Sequence, residues 1–194
     1  MGCGCGSISR YLAEQSHLRV DAVEGSPVRA ALAAKRCRDL DNINFLTANF
    51  NQLKIPENYY DLVLFVGVLE YAGRFSDGLS DQQAVLDLLA LARRCLTQDG
   101  IVVVAIENRT GLKYAMGAKE DHYAVPFVGL DDYPDSTGIR TYNHAQWLEL
   151  IEQSPFSASK VLLPFPDYKI PHLLIDAESD NLDKLAAATA LTQV

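Results

Sequence analysis

The start of the chain combines a run of alternating glycines with an acidic residue further on. The run is Gly2-Cys3-Gly4-Cys5-Gly6, and Glu24 lies 18 residues beyond its last glycine. Glycine has no Cβ, so this segment can adopt positive φ angles and let a ligand approach the backbone closely. A carboxylate at the end of the following strand can accept hydrogen bonds from two ribose hydroxyls. The pattern therefore predicts a site for a nucleoside-containing ligand.

The spacing of these glycines differs from the G-x-G-x-x-G motif of dinucleotide-binding proteins. A frame that starts at Gly4 places Ser9 at the third glycine position, and a frame that starts at Gly2 places Ser7 there. Glycines at every second position favour instead a ligand whose amino-acid end folds over the loop. A structural turn with Glu24 satisfied at the surface is the alternative that the residues leave open.

Length, charge and apolar runs exclude several classes of protein. The 194 residues suit one globular domain. A formal net charge of −8 argues against a nucleic-acid partner, because binding to phosphates requires clustered lysine and arginine. The longest apolar runs, 62–66 and 101–106, are far shorter than the roughly 20 residues of a membrane helix, so no membrane span is expected. The first residues lack a secretory signal and the four cysteines lack a disulfide pattern, so we expect a cytoplasmic protein.

The predicted elements alternate between short strands and helices. Strands are expected over residues 18–24, 43–48, 60–66 and 101–106, and helices over 7–15, 27–38 and from Ser80 to the turn at Asp99-Gly100. Because parallel neighbours need crossover helices, this order predicts a doubly wound α/β fold with a mostly parallel sheet. Residues 107–140 show no sustained period and are expected to form a binding loop.

The C-terminal part of the chain predicts a different arrangement. Asn143 with Gln146 is expected to cap a helix that ends at Ser154-Pro155. Two strands, 158–163 and 172–176, have a connector too short for a crossover helix, so they should be antiparallel. Residues 1–176 are expected to form the domain, and 177–194 a surface helix or tail.

Several segments together resemble the class I S-adenosylmethionine-dependent methyltransferases. They are the glycine run, residues 20–27 (VDAVEGSP), 47–50 (TANF), 60–71 (YDLVLFVGVLEY) and 96–104 (LTQDGIVVV). The resemblance implies a Rossmann-like fold, S-adenosylmethionine as cofactor and methyl transfer as the reaction. The residues that it places at the cofactor are Gly2, Cys3, Gly4, Gly6, Glu24, Gly25, Asn49, Phe50 and Gly67.

Two departures from this family pattern carry expectations of their own. The family begins with an apolar strand before the glycine loop, whereas Met1 directly precedes Gly2 here. We therefore expect an N-terminally truncated form that lacks its first strand and folds poorly alone, because unpaired buried backbone groups cost about 1–3 kcal/mol each. Asn49 stands where an aspartate is more usual; its carbonyl can still accept a hydrogen bond from the adenine amino group, so weakened binding is expected.

A narrower resemblance concerns the acceptor. Residues 106–114 (IENRTGLKY), 120–122 (EDH) and 164–169 (PFPDYK) are similar to methyltransferase modules found with bacterial surface-polysaccharide glycosyltransferases. This resemblance implies a glycan-precursor or other small-molecule acceptor, methylated on a hydroxyl, and a role in polysaccharide biosynthesis. It also implies a glycosyltransferase as a possible partner. A non-catalytic module that packs against such an enzyme is the alternative function.

The long loop supplies the candidates for acceptor chemistry. His122 is the predicted catalytic base, since an imidazole titrates near neutral pH, although a lone loop histidine can equally be a surface residue. Arg109, Lys113 and Tyr114 are the predicted substrate-binding residues, and Arg109 could instead pair with Glu107. A cation site among the acidic residues of the loop has no recognisable ligand spacing, so no metal is expected. An NAD-dependent reductase and a nucleic-acid methyltransferase are disfavoured because their motifs do not occur.

Overall fold

The computed structural model describes residues 1–50, 53–76, 78–134 and 137–179. Its helices and strands follow in the order α1 (Ser7–Ala13), β1 (Val20–Glu24), α2 (Pro27–Arg36), β2 (Ile43–Thr47), β3 (Tyr60–Val66), a 3-10 helix (Leu69–Phe75), α3 (Asp81–Cys95), β4 (Leu96–Ala105), α4 (Leu112–Ala115), α5 (His144–Gln153), β5 (Leu162–Phe165) and β6 (Leu173–Asp176). Among these residues, no helix has the length and apolarity that crossing a bilayer requires.

Local capping chemistry explains where three of the helices begin. The Ser26 side chain accepts a hydrogen bond from the backbone N–H of Arg29, the third residue of α2, and Pro27 occupies the first helical position, where its missing N–H has no cost. Ser80 caps α3 in the same way. Asn143 and Gln146 form a complete capping box at α5. All three starts agree with the sequence-based prediction.

The strands pair in twos rather than in the single doubly wound sheet that we predicted. Within the described residues, β1 pairs with β2 and β3 with β4, both in parallel, and β5 pairs with β6 in antiparallel orientation. The first residues of the chain join the two parallel pairs. The Met1 amine donates to the Leu64 carbonyl at 2.7 Å, and the Cys3 N–H donates to the Val23 carbonyl at 2.9 Å. The glycine run is thereby anchored between β1 and β3.

The main hydrophobic core lies between the β3–β4 pair and α3. One face of α3 is buried at helical spacing and contributes Ala84, Val85, Leu88, Leu89 and Ala92. Val63 and Phe65 of β3 pack on this face together with Leu69 and Leu96. Because Val63 and Phe65 anchor β3 in this core, they fix the position of the residues that follow its C-terminal end.

Helix α3 is shorter, and β4 longer, than the sequence predicts. The helix ends at Cys95 instead of at the Asp99-Gly100 turn, and β4 already begins at Leu96. The register shifts between Tyr60, paired with Leu96, and Leu62, paired with Ile101. Gly100 fits this irregularity because a Cβ there would lie 2.9 Å from the Tyr60 carbonyl oxygen. The turn chemistry that we assigned to a helix end therefore belongs to the β3–β4 pairing.

The antiparallel orientation of the C-terminal strand pair is confirmed, but its first strand is displaced. β5 begins at Leu162 rather than at residue 158, and the predicted 172–176 strand corresponds to β6. The connector between the two strands carries Asp167, Tyr168 and Lys169. Of the predicted C-terminal helix or tail, residues 180–194 lie outside the described residues.

Candidate active site

A cavity of roughly 1230 Å³ runs along β1 and β3 and extends to the ends of β1, β2 and β3. Eight of the nine predicted cofactor-binding residues line it, namely Gly2, Cys3, Gly4, Glu24, Gly25, Asn49, Phe50 and Gly67. Gly6 is not among the lining residues. The carboxyl ends of parallel strands meet at one edge, which is why residues separated by more than 60 positions in the chain share this cavity.

The three glycines of the N-terminal run have positive φ angles of 69°, 55° and 79° but different surroundings. A Cβ on Gly2 would lie 2.5 Å from Cγ2 of Val68, and one on Gly6 would lie 2.8 Å from Cβ of Ala33 in α2. A Cβ on Gly4 would meet nothing within 4 Å. Gly2 and Gly6 therefore allow close packing of the protein, whereas Gly4 leaves room for a ligand against the backbone.

Glu24 ends β1 and is held by the glycine run and by the start of α2. One carboxylate oxygen accepts from the Gly4 N–H at 2.8 Å, and the other accepts from the Ser26 N–H at 3.0 Å and pairs with Arg29 at 3.0 Å. Glu24 is 4% exposed. An ionised carboxylate offers about four acceptor sites, so about one remains for a ligand hydroxyl. The Arg29 side chain is 59% exposed and can move aside for a second hydroxyl.

A second group of polar residues lies beyond the ends of β3 and β4. Glu70, in the 3-10 helix after β3, and Glu107, just after β4, are both buried. The predicted base His122 lies between carboxylates: its Nδ1 is 2.8 Å from Oε1 of Glu120, and its Nε2 is 3.6 Å from Oε1 of Glu70. The ring of Tyr71, which lines the cavity, packs edge-on against the His122 ring. The group is thus contiguous with the cavity.

The protonation state of His122 follows from these neighbours. Burial favours the neutral ring, but the hydrogen bonds to Glu120 and Glu70 outweigh it and raise the pKa of His122 to about 10. The same contact helps to lower the pKa of Glu120 against its desolvation by burial. A ring with this pKa keeps its proton at neutral pH. Its role as a base, which stays a prediction, therefore requires a state in which that proton is lost.

Two lysines connect the long loop to the β5–β6 connector. Lys113 Nζ lies 3.1 Å from carboxylate oxygens of both Asp121 and Asp167. Lys169 Nζ lies 2.7 Å from Oε1 of Glu107 and 2.9 Å from Asp121. Tyr168 also donates a hydrogen bond to Oε1 of Glu107 at 3.2 Å. These contacts hold the loop and the connector over the ends of β3 and β4.

The predicted substrate-binding residues have different positions. Lys113 belongs to this ionic group, and the buried Tyr114 lies beneath its ammonium, 4.8 Å from it to the ring centre. Arg109 pairs with Asp132 and not with Glu107, which was the alternative partner. His122, Arg109, Lys113 and Tyr114 are not among the residues that line the cavity. Their role toward an acceptor stays a prediction.

Sequence reasoning missed Glu70, Tyr168 and Lys169 as site residues and gave Glu107 only as a partner of Arg109. For the two glutamates a signal existed, since each follows closely after a predicted strand of the parallel type, where ligands bind. For Tyr168 and Lys169 the family resemblance of residues 164–169 pointed to the segment, but not to these two side chains, because their position depends on how the β5–β6 pair packs on the rest of the fold.

Solved structures with similar folds share low sequence identity with the chain. A SAM-dependent methyltransferase of Thermotoga maritima, described as a possible histamine N-methyltransferase, has a TM-score of 0.59 at 18% identity and covers 92% of this chain and 74% of its own. The YcgJ protein of Bacillus subtilis has a TM-score of 0.55 at 19% identity, and the match covers 84% of this chain and 64% of that protein. A third similar structure is phosphoethanolamine N-methyltransferase 1 of Haemonchus contortus, solved with phosphoethanolamine and S-adenosylhomocysteine. Its TM-score is 0.56 at 18% identity, and the match covers 76% of this chain and 28% of that protein. The chain thus spans under two thirds of the length of the last two proteins.

The fold, with a glycine loop and an acidic strand end around one cavity, is similar to that of a solved S-adenosylmethionine-dependent methyltransferase. A family model described as a methyltransferase domain matches residues 1–104, more than half of the chain. The chain belongs to this methyltransferase domain family. A sequence search of characterised proteins found no significant match.

Proposed function

We propose that the protein transfers a methyl group from S-adenosylmethionine to a hydroxyl of a small-molecule or glycan-precursor acceptor. The observation that carries this proposal is the convergence of the three segments singled out for the acceptor. Residues from each of them meet in one ionic group, through Lys113 with Asp121 and Asp167 and through Lys169 with Glu107. This group adjoins the cavity that holds the predicted cofactor residues.

The cavity residues fit S-adenosylmethionine by their donor and acceptor chemistry. The free acceptor site of Glu24 suits a ribose hydroxyl, and the open face of Gly4 suits close approach of the methionine part. Asn49 and Phe50 lie on the β2 side of the same cavity, where the adenine would be held by a polar contact and by ring packing. When bound, S-adenosylmethionine supplies an electrophilic methyl group on its sulfonium.

For methyl transfer the protein mainly has to position the acceptor oxygen. In-line attack requires the acceptor oxygen within about 3–3.5 Å of the methyl carbon, with water kept away. Gly67, just after β3, and Tyr71, in the 3-10 helix, line the cavity and adjoin the ionic group. A Cβ on Gly67 would lie 3.1 Å from the Tyr168 hydroxyl, and the Tyr71 ring packs on His122. We propose that the acceptor binds there, held by Arg109, Lys113 and Tyr114, with His122 as the base for its hydroxyl.

A glycosyltransferase partner and a cytoplasmic location complete the proposal. The glycosyltransferase partner follows from the narrower family resemblance. If the protein binds a glycosyltransferase, the two should co-purify at a fixed ratio. A cytoplasmic location is supported by the four cysteines, all of which are free thiols.

The test combines cofactor binding with a screen for acceptors. Calorimetry with S-adenosylhomocysteine should give micromolar affinity, and radiolabelled methyl groups from S-adenosylmethionine should appear in sugars, nucleotide sugars or small alcohols. Amines of matched size serve as the comparison, because they separate transfer to oxygen from transfer to nitrogen. Labelling of amines alone would refute the hydroxyl acceptor. Absence of cofactor binding in a folded protein would favour the non-catalytic module.

A further inference from the structure

A triad of metal-ligating side chains lies beyond the ends of β3 and β4. One carboxylate oxygen of Glu70, one of Glu107 and one ring nitrogen of His122 all lie within 4.8 Å of one another. The three residues come from the 3-10 helix after β3, from the end of β4 and from the long loop. Side chains from three separate elements thus face one point.

Two of these side chains have buried oxygens with no partner among the described residues. Oε2 of Glu70 and Oε2 of Glu107 accept no hydrogen bond, although Glu70 is 3% and Glu107 is 5% exposed. An unpaired buried carboxylate oxygen costs free energy. Buried carboxylates of this kind are stabilised by a cation that both can ligate.

The third ligand is oriented for the same point. Nδ1 of His122 lies 2.8 Å from Oε1 of Glu120, which leaves Nε2 directed toward Glu70. A histidine bound through one nitrogen to a metal almost always has its other nitrogen paired with a carboxylate or a carbonyl, which fixes the ring. Glu120 is itself held by the backbone N–H groups of His122 and Tyr123. The supporting contact of a metal-binding histidine is therefore already in place.

The charges around the triad also favour a cation. Glu70, Glu107, Glu120, Asp121 and Asp167 are linked by their contacts to His122, Lys113 and Lys169. Five carboxylates face two ammonium groups and one imidazole, so the group is negative whether or not the imidazole is charged. A divalent ion would reduce this excess at its most buried point.

We propose that Glu70, Glu107 and His122 bind a divalent first-row transition-metal ion, with Mn²⁺ or Zn²⁺ as the fitting species. One imidazole and two carboxylates make a mixed nitrogen and oxygen set, which suits these ions better than the all-oxygen preference of Ca²⁺ and Mg²⁺. Three protein ligands leave positions for an exogenous oxygen. Binding of the ion would displace the proton of His122, whose Nε2 is then a ligand and not the base for the acceptor. The use of an open metal position for the acceptor hydroxyl rests on the proposed function, whereas binding of the ion does not.

The test measures metal binding without reference to methyl transfer. Protein stripped with a chelator is titrated with Zn²⁺ by calorimetry and with Mn²⁺ by electron paramagnetic resonance. We expect one ion per chain, and an affinity at least about tenfold lower in Glu70→Gln, Glu107→Gln and Glu120→Gln, the last by loosening His122. Glu152→Gln, an exposed acid on α5, is the matched control and should bind like the unchanged protein.

Thermal unfolding separates a loss of metal binding from a failure of the variant to fold. Without metal, Glu70→Gln should still unfold in one cooperative transition, so that a loss of metal affinity cannot be ascribed to a loss of folding. Added metal should raise the melting temperature of the unchanged protein and of Glu152→Gln more than that of the three ligand-site variants. Binding of less than one ion per chain, or an affinity in the Glu70 and Glu107 variants equal to that of the unchanged protein, would overturn the metal site. Metal binding without methyl transfer to any acceptor would instead count against the proposed function.

Discussion

Replacement of Glu24 by alanine should weaken cofactor binding by an amount that the structure bounds. The carboxylate already accepts from Gly4 and Ser26 and pairs with Arg29, so about one acceptor site is left for a ribose hydroxyl. A hydrogen bond to a buried charged group contributes about 1.5–3 kcal/mol, which corresponds to a roughly ten- to hundredfold loss of affinity. Isothermal titration with S-adenosylhomocysteine measures this loss directly.

The same variant also removes the acceptors that hold the loop, so the ribose contact must be separated from a looser loop. A 2′,3′-dideoxy analogue of the ligand cannot make the ribose contact, and its affinity should fall much less on Glu24→Ala than that of S-adenosylhomocysteine. Arg29→Gln is the control, because it removes only the exposed partner of Glu24 and should leave affinity unchanged or slightly higher. Equal losses for both ligands would refute the assignment of Glu24 to the ribose.

Three substitutions test the packing and capping that position the site, each by urea unfolding. Gly6→Ala should cost about 1–3 kcal/mol, because the new Cβ would lie 2.8 Å from Cβ of Ala33 at a φ of 79°; a neutral effect would contradict the close approach of the run to α2. Tyr142→Phe should leave stability unchanged or up to about 1 kcal/mol higher, because it removes a buried hydroxyl with no hydrogen-bond partner among the described residues, and a clear loss would reveal a hidden partner. Asn143→Ala should cost about 1 kcal/mol by breaking the capping box with Gln146, and no loss would mean that packing alone sets the start of α5.

Features with a local cause could be predicted from the sequence. The starts of α2, α3 and α5 depend on a capping side chain and on backbone N–H groups three residues away, so the residues at Ser26, Ser80 and Asn143 suffice to place them. Strand β3 coincides with its predicted bounds because it is apolar on both faces. The same reasoning placed Glu24 at the end of β1 and hence in the cavity.

Features that depend on pairing between distant segments could not be predicted in the same way. The Asp99-Gly100 turn has the composition of a helix end, yet Gly100 is required by its contact with the Tyr60 carbonyl, and only the β3–β4 register shows this. Likewise the periodicity of residues 158–163 suggested a strand, while β5 starts at Leu162, where pairing with β6 begins. In both cases pairing with another strand sets where the element begins or ends. The local sequence does not show that pairing.

The residues near the expected acceptor position also come together only in the fold, so the local sequence could not identify them as one group. The long loop offered many acidic residues, and sequence spacing gave no reason to prefer any of them as ligands. In the fold, the loop contributes His122 to a point where two strand ends have already placed Glu70 and Glu107. Because β3 is fixed in the core and β4 is paired with it, the two glutamates form the rigid part of this group, and the loop supplies the adjustable part. Loss of Lys169, which ties Glu107 and Asp121 together, should therefore disturb the position of the loop more than that of the glutamates.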